Sequence, residues 1–599
     1  MTVGIMRFLK VFLIISIASL SLLIMPSFTI APTRNVPPVM ASYNPAPANN
    51  FHSPLSTMGL VGLTKATPDI RSLGADPLAS SSSSASGPQT IRQNALRFII
   101  DNSSLPQSET TIAVDSGNSS RVVGGFNDAK FLLCGAIRLE CGGSFPASLS
   151  GFTTSEDGGI TIAKSEHIPD LDVNGTSLVS WGDPSLAASV DGNFFYASLA
   201  IDPRNTLLGN GVMIAKSNSN LFNRNVSCTT SLFNPTANSC WTAVLVFGNI
   251  GFPTFTFEDK DRIAVDHDPS SPFFGSVYIG WDHFVIDGTS SSYLARCDGN
   301  LTSCTIVSGL TQPVLSGSDL FVAWTTPLVD KNGNVIVAWC NFGTFITFGP
   351  VNCRMRSSPP GGMGFGQTEN ILSYMGTGTT LPNDTVVVGW ATEQFRIAAG
   401  LISITADTSP LSGNLYFSVQ VCISGHYYVI PRVFTGGAAD NPGNCGRSAV
   451  LFSRSIDGGV IWSSPVTLSK PAVNDQPFVT VDSVTGRLYV LYYTTQFDPF
   501  DHRIDVVASI SSNGGQNFHL LRVTKVSNEP DSDPNMYNYL APAGLGSSFV
   551  VPQYGDYFEA AANSGSLMVL FTANYVVEAG TFQTDPFLAV LNQNGQSTF

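Results

Sequence analysis

Leu451–Ser469 reads LFSRSIDGGVIWSSPVTLS. A strand ending in Ser453-Arg454-Ser455 runs into the turn Asp457-Gly458-Gly459, and a second strand starts at Ile461-Trp462, which makes a hairpin. The Asp side chain can accept backbone N–H groups across the turn, the glycines supply positive φ, and the aromatic covers the hairpin from one side. The wording recurs at Ser155–Ile162 as SEDGGITI and at Ser511–Phe518 as SSNGGQNF. The first copy lacks the aromatic, the Leu451–Ser469 copy lacks a Thr after the glycines, and the last has Asn for Asp.

A second, longer repeat surrounds these turns. It has an acidic residue, a short strand centred on a small residue, an Asp/Asn/Gly turn and an aromatic-rich strand. It begins at Glu109 (ETTIAVDSGNSSRVVGGFND), Asp183 (DPSLAASVDGNFFYASLAID), Asp259, Asp319, Glu393, Asp475 and Asp556 (DYFEAAANSGSLMVLFTANY). Strand-built units at such a period predict an all-β propeller of four-stranded blades, seven by motif count, with each blade buried on both faces by its neighbours. The last unit leaves room for about three strands, so the early segment near Phe98 is expected to supply the fourth and lock the ring. Ring closure hides the sheet edges.

The three turns resemble the Asp-box, or bacterial neuraminidase repeat, S-x-D-x-G-x-T-W. The region from about Gln107 to Tyr575 is similar to exported members of the sialidase-like superfamily. That resemblance implies a propeller, with six blades as the family's usual number and the alternative to seven here. It also implies a site in which arginines hold a sugar carboxylate, a tyrosine assisted by a glutamate attacks, and an aspartate acts as acid/base. On this pattern Arg262 and Arg396, each two residues before the small residue of its unit, are candidate carboxylate binders. Phe395-Arg396-Ile397 matches the start of the family's F-R-I-P motif without its proline, and Arg432 and Arg487 have no motif support. Tyr557, beside Asp556 and Glu559, is the candidate nucleophile, and Asp183 joins the candidate catalytic set.

Composition sets the frame. The 599 residues are 43% hydrophobic and only 12% charged, enough to bury a large core, and 55 Gly with 37 Pro suit a turn-rich β chain. A formal charge of −14 argues against nucleic acid or an anionic membrane surface as partner. Arg7 and Lys10 ahead of the apolar Val11–Met25, with Thr29-Ile30-Ala31 after it, read as a signal peptide over 1–31, with an uncleaved anchor as the competing reading. Residues 32–93 are Pro-, Ser- and Ala-rich and read as a disordered tether, and 94–599 as the propeller. The expectation is a secreted or cell-surface monomer. Ten cysteines fall into neighbouring pairs, Cys134/Cys141, Cys228/Cys240, Cys297/Cys304, Cys340/Cys353 and Cys422/Cys445, read as five local disulfides. Six sequons, from Asn102 to Asn383, permit glycosylation.

The acids that open the units, Glu109, Asp183, Asp259, Asp319, Glu393, Asp475 and Asp556, are candidate ligand-binding residues around the mouth of the ring. They either cap incoming loops through backbone N–H groups or form a shared site for a cation or polar ligand. No cofactor is required by this reading, and calcium is the natural cation to offset the clustered charge. Two functions stay open: a sialidase-type glycosidase acting on terminal acidic sugars, and a non-catalytic propeller that binds an extracellular glycan or surface protein.

Overall fold

Blade 1 is built from Gln107–Val114, Val122–Asp128, Ser150–Ser155 and Lys164–His167, hydrogen-bonded in that order. Blade 3 (Thr256–Val265, Val277–Val285, Ser290–Cys297, Cys304–Ile306) and blade 4 (Val322–Val329, Val335–Asn341, Pro350–Ser358, Glu369–Met375) repeat the meander. So do blade 5 (Ile402–Ala406, Leu415–Ser424, Arg447–Ser455, Val466–Thr467) and blade 6 (Asn474–Val481, Leu488–Thr494, Asp505–Ser511, His519–Arg522). Blade 2 runs Ser185–Ala188, Phe194–Ile201, Gly209–Ser217 and Trp241–Ile250, and carries an added hairpin, Leu171–Val173 with Thr176–Ser180. In this computed structural model the described residues are 95–101, 107–128, 150–201, 209–228, 238–250, 256–285, 289–307, 319, 322–341, 350–375, 386–387, 396–397, 401–409, 412–424, 447–499, 503–528, 554–578 and 581–598.

Blade 7 decides how the ring closes. Glu559–Asn563, Ser566–Glu578 and Thr581–Leu591 come from the end of the chain, and its outermost strand is Ala95–Arg97 from the beginning, with Ala95 opposite Ala589 and Arg97 opposite Phe587. This is the closure expected from the length of the last unit. Arg97 fixes it by a two-pronged pair with buried Asp585, Nε–Oδ2 2.6 Å and Nη2–Oδ1 3.2 Å. Asp101 continues the network, accepting from Gln107 of blade 1 (3.0 Å) and Gln583 of blade 7 (3.1 Å).

Among the described residues seven hydrophobic clusters lie between blades, one at each interface. Phe98, Ile112, Val122, Leu570 and Leu588 seal blade 7 against blade 1, and Tyr416, Phe452, Val479 and Leu488 seal blade 5 against blade 6. An open ring would have one interface fewer, so the separate cores establish seven blades and not six. Burial on both faces explains why second strands read as long, mostly apolar runs such as FFYASLAI and LYVLYYT, buried throughout. Blade 1 shows how tight the approach is. A Cβ on Gly124 would lie 2.8 Å from Leu570 of blade 7, and one on Gly125 would lie 2.8 Å from Tyr196 of blade 2. Inner strands also share one recurring bond, in which a hydroxyl of one blade accepts an N–H of the next: Thr111 from Leu186, Ser185 from Ile263, and Ser403 from Val479, at 3.0 to 3.2 Å.

The three repeated turns join third to fourth strands of blades 1, 5 and 6 and share one geometry. Ser155, Ser455 and Ser511 each donate to the side chain two residues on and accept the N–H of Gly159, Gly459 or Gly515, always at 2.9 Å. Burial pushes the Asp157 carboxyl up, but the N–H and hydroxyl of Thr161, the Ser155 hydroxyl and the Arg224 charge together hold it below the usual range. Trp462 covers its turn edge-on to Phe417.

Disulfides Cys228–Cys240, Cys297–Cys304 and Cys340–Cys353 form in chain order within blades 2, 3 and 4. Cys134, Cys141, Cys445, the signal-like segment, the tether and Glu393 lie outside the described residues; Arg396 and Cys422 are described only in their backbone pairing.

Candidate functional site

The rim at which inner strands begin, the leading rim, is also where the connections from Asp128 to Ser150, Met375 to Ile402, Ser424 to Arg447 and Arg522 to Glu559 start and end. Each inner strand of blades 1, 3, 4 and 6 has a bulge there, two residues opposite one aromatic. Glu109-Thr110 face Phe126, Lys260-Asp261 face Trp281, Trp324-Thr325 face Trp339, and Gln476-Pro477 face Tyr492. The first residue of each pair is left-handed, with φ 51°, 59°, 68° and 52°, and Asp183 of blade 2 joins them at 52°. A bulge of this type ordinarily takes Gly, and each other side chain there costs on the order of 1 kcal/mol. Such strain held at one rim marks where side chains are aimed.

The aimed side chains meet. Glu109 accepts from Asn127 (2.6 Å) and from the backbone N–H of Asp556 (3.0 Å). Lys260 reaches from blade 3 to pair with Asp556 on blade 7 and stands 5.1 Å from the Trp324 ring centroid. Gln476 donates to the carbonyl of Gly555 at 2.7 Å. Gly555 is obligatory, because a Cβ there would lie 1.9 Å from Cγ of Glu109.

A second layer runs parallel to the first. Arg262 pairs with Glu559 (Nη1–Oε1 2.7 Å) and lies 3.7 Å from the ring centroid of Tyr557. Glu559 takes a further hydrogen bond from Thr111 (2.5 Å), and the Tyr557 hydroxyl donates to the carbonyl of Pro184 at 2.9 Å. Ion pairs therefore cross the ring from blade 3 to blade 7.

Electrostatics follow from burial. Glu109 is pushed well above the usual carboxylate range by desolvation, then by Asp183 and Asp556, with Lys260 opposing. Desolvation, then Asp183, does the same to Asp261, against Arg262. Glu559 is raised by burial despite Arg262 and Thr111. The Tyr557 phenol is pushed well up by burial, Asp183 and Glu109, which keeps it protonated. Asp282 of blade 3 is raised to about 7, since it is buried while it accepts Trp324 N (2.7 Å), Thr325 N (3.1 Å) and the Thr325 hydroxyl (2.5 Å). Neither oxygen of Asp261, which is 1% exposed, meets a hydrogen-bond partner among the described residues, nor does Oδ2 of Asp183.

The structure thus brings together Glu109, Asp183, Arg262, Asp556 and Tyr557. Asp259 and Asp475 sit one residue before the left-handed position, where Oδ1 caps the N–H of Lys260 (2.9 Å) or Gln476 (2.8 Å). Asp319 lies five residues ahead of Trp324, and takes the Trp339 indole N–H at 3.1 Å and an ion pair from Arg354. Alignment on small residues slips in blades 4 and 6 for this reason. Lys260, Asp261 and Asp282 went unrecognised in the sequence, and Glu559 was named there only as a neighbour of Tyr557; Lys260 and Asp261 stand between two residues that were singled out, in the run Asp259-Lys260-Asp261-Arg262. Among the described residues no group of three His, Cys, Asp or Glu side chains is placed to hold a metal.

No family model and no curated protein matches the sequence. Among solved structures the chain is similar to the Hadza microbial sialidase Hz136, at 12% identity and a TM-score of 0.37 over 74% of each chain. It is also similar to the α-L-arabinofuranosidase Arb93A from Fusarium graminearum (9%, 0.37, over 71% of this chain and 98% of that one). The endo-arabinase from Bacteroides thetaiotaomicron stands at 13% and 0.28, over 57% of this chain and 93% of that one. Likeness at that level leaves the fold resting on the strand order itself.

Proposed function

We propose that the protein is an exported β-propeller that acts on or binds extracellular glycans at its leading rim. The observation that carries this is the meeting there of Glu109 and Asp261, buried carboxyls whose ionisation is opposed by desolvation and by neighbouring acids, with part-exposed Asp183 and Arg262 beside them. A protonated carboxyl near a carboxylate is the pairing that protonates a glycosidic oxygen and stabilises positive charge on the sugar ring. The three disulfides fit an oxidising compartment. An exo-sialidase form of this reading would have Arg262 hold a sugar carboxylate and Tyr557 attack. It requires Arg262 to turn from Glu559 and the Tyr557 hydroxyl to leave the Pro184 carbonyl. Cleavage by the carboxyls requires neither. The non-catalytic reading is favoured by one fact, that ion pairs span the ring where a substrate would enter the axis.

A panel of fluorogenic glycosides, including the α-sialoside and the α-L-arabinofuranoside, tests the proposal together with a glycan array. Sugar release lost in Asp261→Asn, in a variant that melts as wild type does, makes the protein a hydrolase. Array binding without release makes it a binding module, and neither release nor binding removes the proposal.

A further inference from the structure

The described cations that meet at the leading rim, Lys260 and Arg262, are committed to carboxylates of the chain itself. Lys260 pairs with Asp556, and Arg262 is held between Glu559 at 2.7 Å and the face of Tyr557 at 3.7 Å. A sugar acid arriving here would have to displace a fixed carboxylate, and would do so beside Glu109, Asp183, Asp259 and Asp261. The groups lacking partners are of the opposite kind. Both oxygens of Asp261 and Oδ2 of Asp183 are buried without a hydrogen-bond donor among the described residues. Asp261 faces Asp183, whose charge opposes its ionisation, and itself opposes the ionisation of Tyr557. What such acceptors need is an O–H or N–H group. A sugar carboxylate brings none, whereas adjacent hydroxyls bring two.

Resting on the glycan reading, we infer that the leading rim selects uncharged, polyhydroxylated sugars over sugar acids, with Asp183 and Asp261 as the acceptors that read the hydroxyls. Glu109, which burial, Asp183 and Asp556 push toward its protonated form, suits the same ligand, since a carboxylic acid, like a hydroxyl, both donates and accepts.

The test is an array of matched pairs that differ in charge: lactose with sialyllactose, and galactan with polygalacturonate oligosaccharides. The neutral member of each pair should bind at least about 10-fold more tightly. Asp183→Asn and Asp261→Asn should each weaken the neutral member about 10-fold, the loss of one buried hydrogen bond, and narrow its lead over the acid. Should Asp261→Asn fail to fold, part-exposed Asp183 gives the same readout. Tighter binding of sialyllactose or polygalacturonate than of the neutral mate overturns the inference and leaves the glycan reading standing. Binding of no member of any pair, with no glycoside cleaved, removes both.

Discussion

Replacing Arg97 by Met attacks the ring at its seam. Asp585 is fully buried, and its carboxylate would keep the Gln583 amide (3.0 Å) but lose both arms of the guanidinium. Removing one partner of a buried pair costs about 3–5 kcal/mol because the charge left behind is uncompensated. The retained amide places the expected cost near the lower end, about 3 kcal/mol. Spread over a ring of this size, with unfolding entropy near 2.1 cal/mol/K per residue, that lowers the melting temperature by only about 3 °C. Amide hydrogen exchange is the sharper assay, because the loss falls on one strand. Opening of Ala95–Arg97 should rise on the order of 100-fold, while blades 3 and 4 exchange as before. Adding Asp585→Asn should restore most of the protection, since a neutral amide needs no cation. Exchange in Arg97→Met within threefold of wild type, or no recovery in the double variant, would refute the account of the seam.

Asp282 predicts a pH dependence of definite sign. Its folded-state value of about 7 lies above the ordinary 3.8, so the folded form binds the extra proton and stability rises as pH falls from about 7 toward 4. At pH 8 the cost of the buried carboxylate is on the order of 4 kcal/mol. Asp282→Asn should flatten that part of the melting curve's pH dependence, and an unchanged difference between pH 8 and pH 5 would contradict it. Glu109, Asp261 and Glu559 act in the same direction. Ser564 holds φ 52° in a two-residue hairpin turn with Gly565. Ser564→Asn should therefore stabilise by about 0.5–1 kcal/mol in a denaturant titration, and destabilisation would count against the turn assignment. Ser155→Ala, Ser455→Ala and Ser511→Ala should each cost about 1–2 kcal/mol, leaving a glycine N–H without its acceptor. Unequal losses would mean the three turns are not equivalent.

The seven units were legible because their second strands are buried on both faces and read as long apolar runs, as in Leu488–Thr494. Closure by the segment before Phe98 was legible from the strand missing at the end of the chain. Register at the rim was not. A bulge inserts one residue, and its left-handed position ordinarily announces itself as Gly, whereas here it is Glu109, Lys260, Trp324 and Gln476. Without that marker, Asp319 and Asp475 aligned with Glu109 although the backbone sets them apart. Two further outer turns were also hidden. Ser358-Pro359-Pro360-Gly361-Gly362 joins third and fourth strands of blade 4 with both glycines at positive φ, and a proline stands where Asp457 stands in blade 5. In blade 3 Asp298 accepts the N–H and hydroxyl of Thr302 as Asp157 does from Thr161, without the preceding serine. Glu559 falls at a position occupied by Ile112, Leu186 and Ile263 in other units, so pattern alone assigned it to the strand.

The strand that completes blade 7 is among the first parts of the ring to be synthesised, and its partner, Thr581–Leu591, is the last. At roughly 5–20 residues per second the two are separated by about 25–100 seconds of translation. Until then Ala95–Arg97 has no ladder to join, and the outer edge of Thr581–Leu591, once made, is bare. Two chains that finish side by side offer each other the same missing strand at the same moment. Exchange of first strands is thus the characteristic assembly error of this architecture, and its yield should rise with the local density of nascent chains.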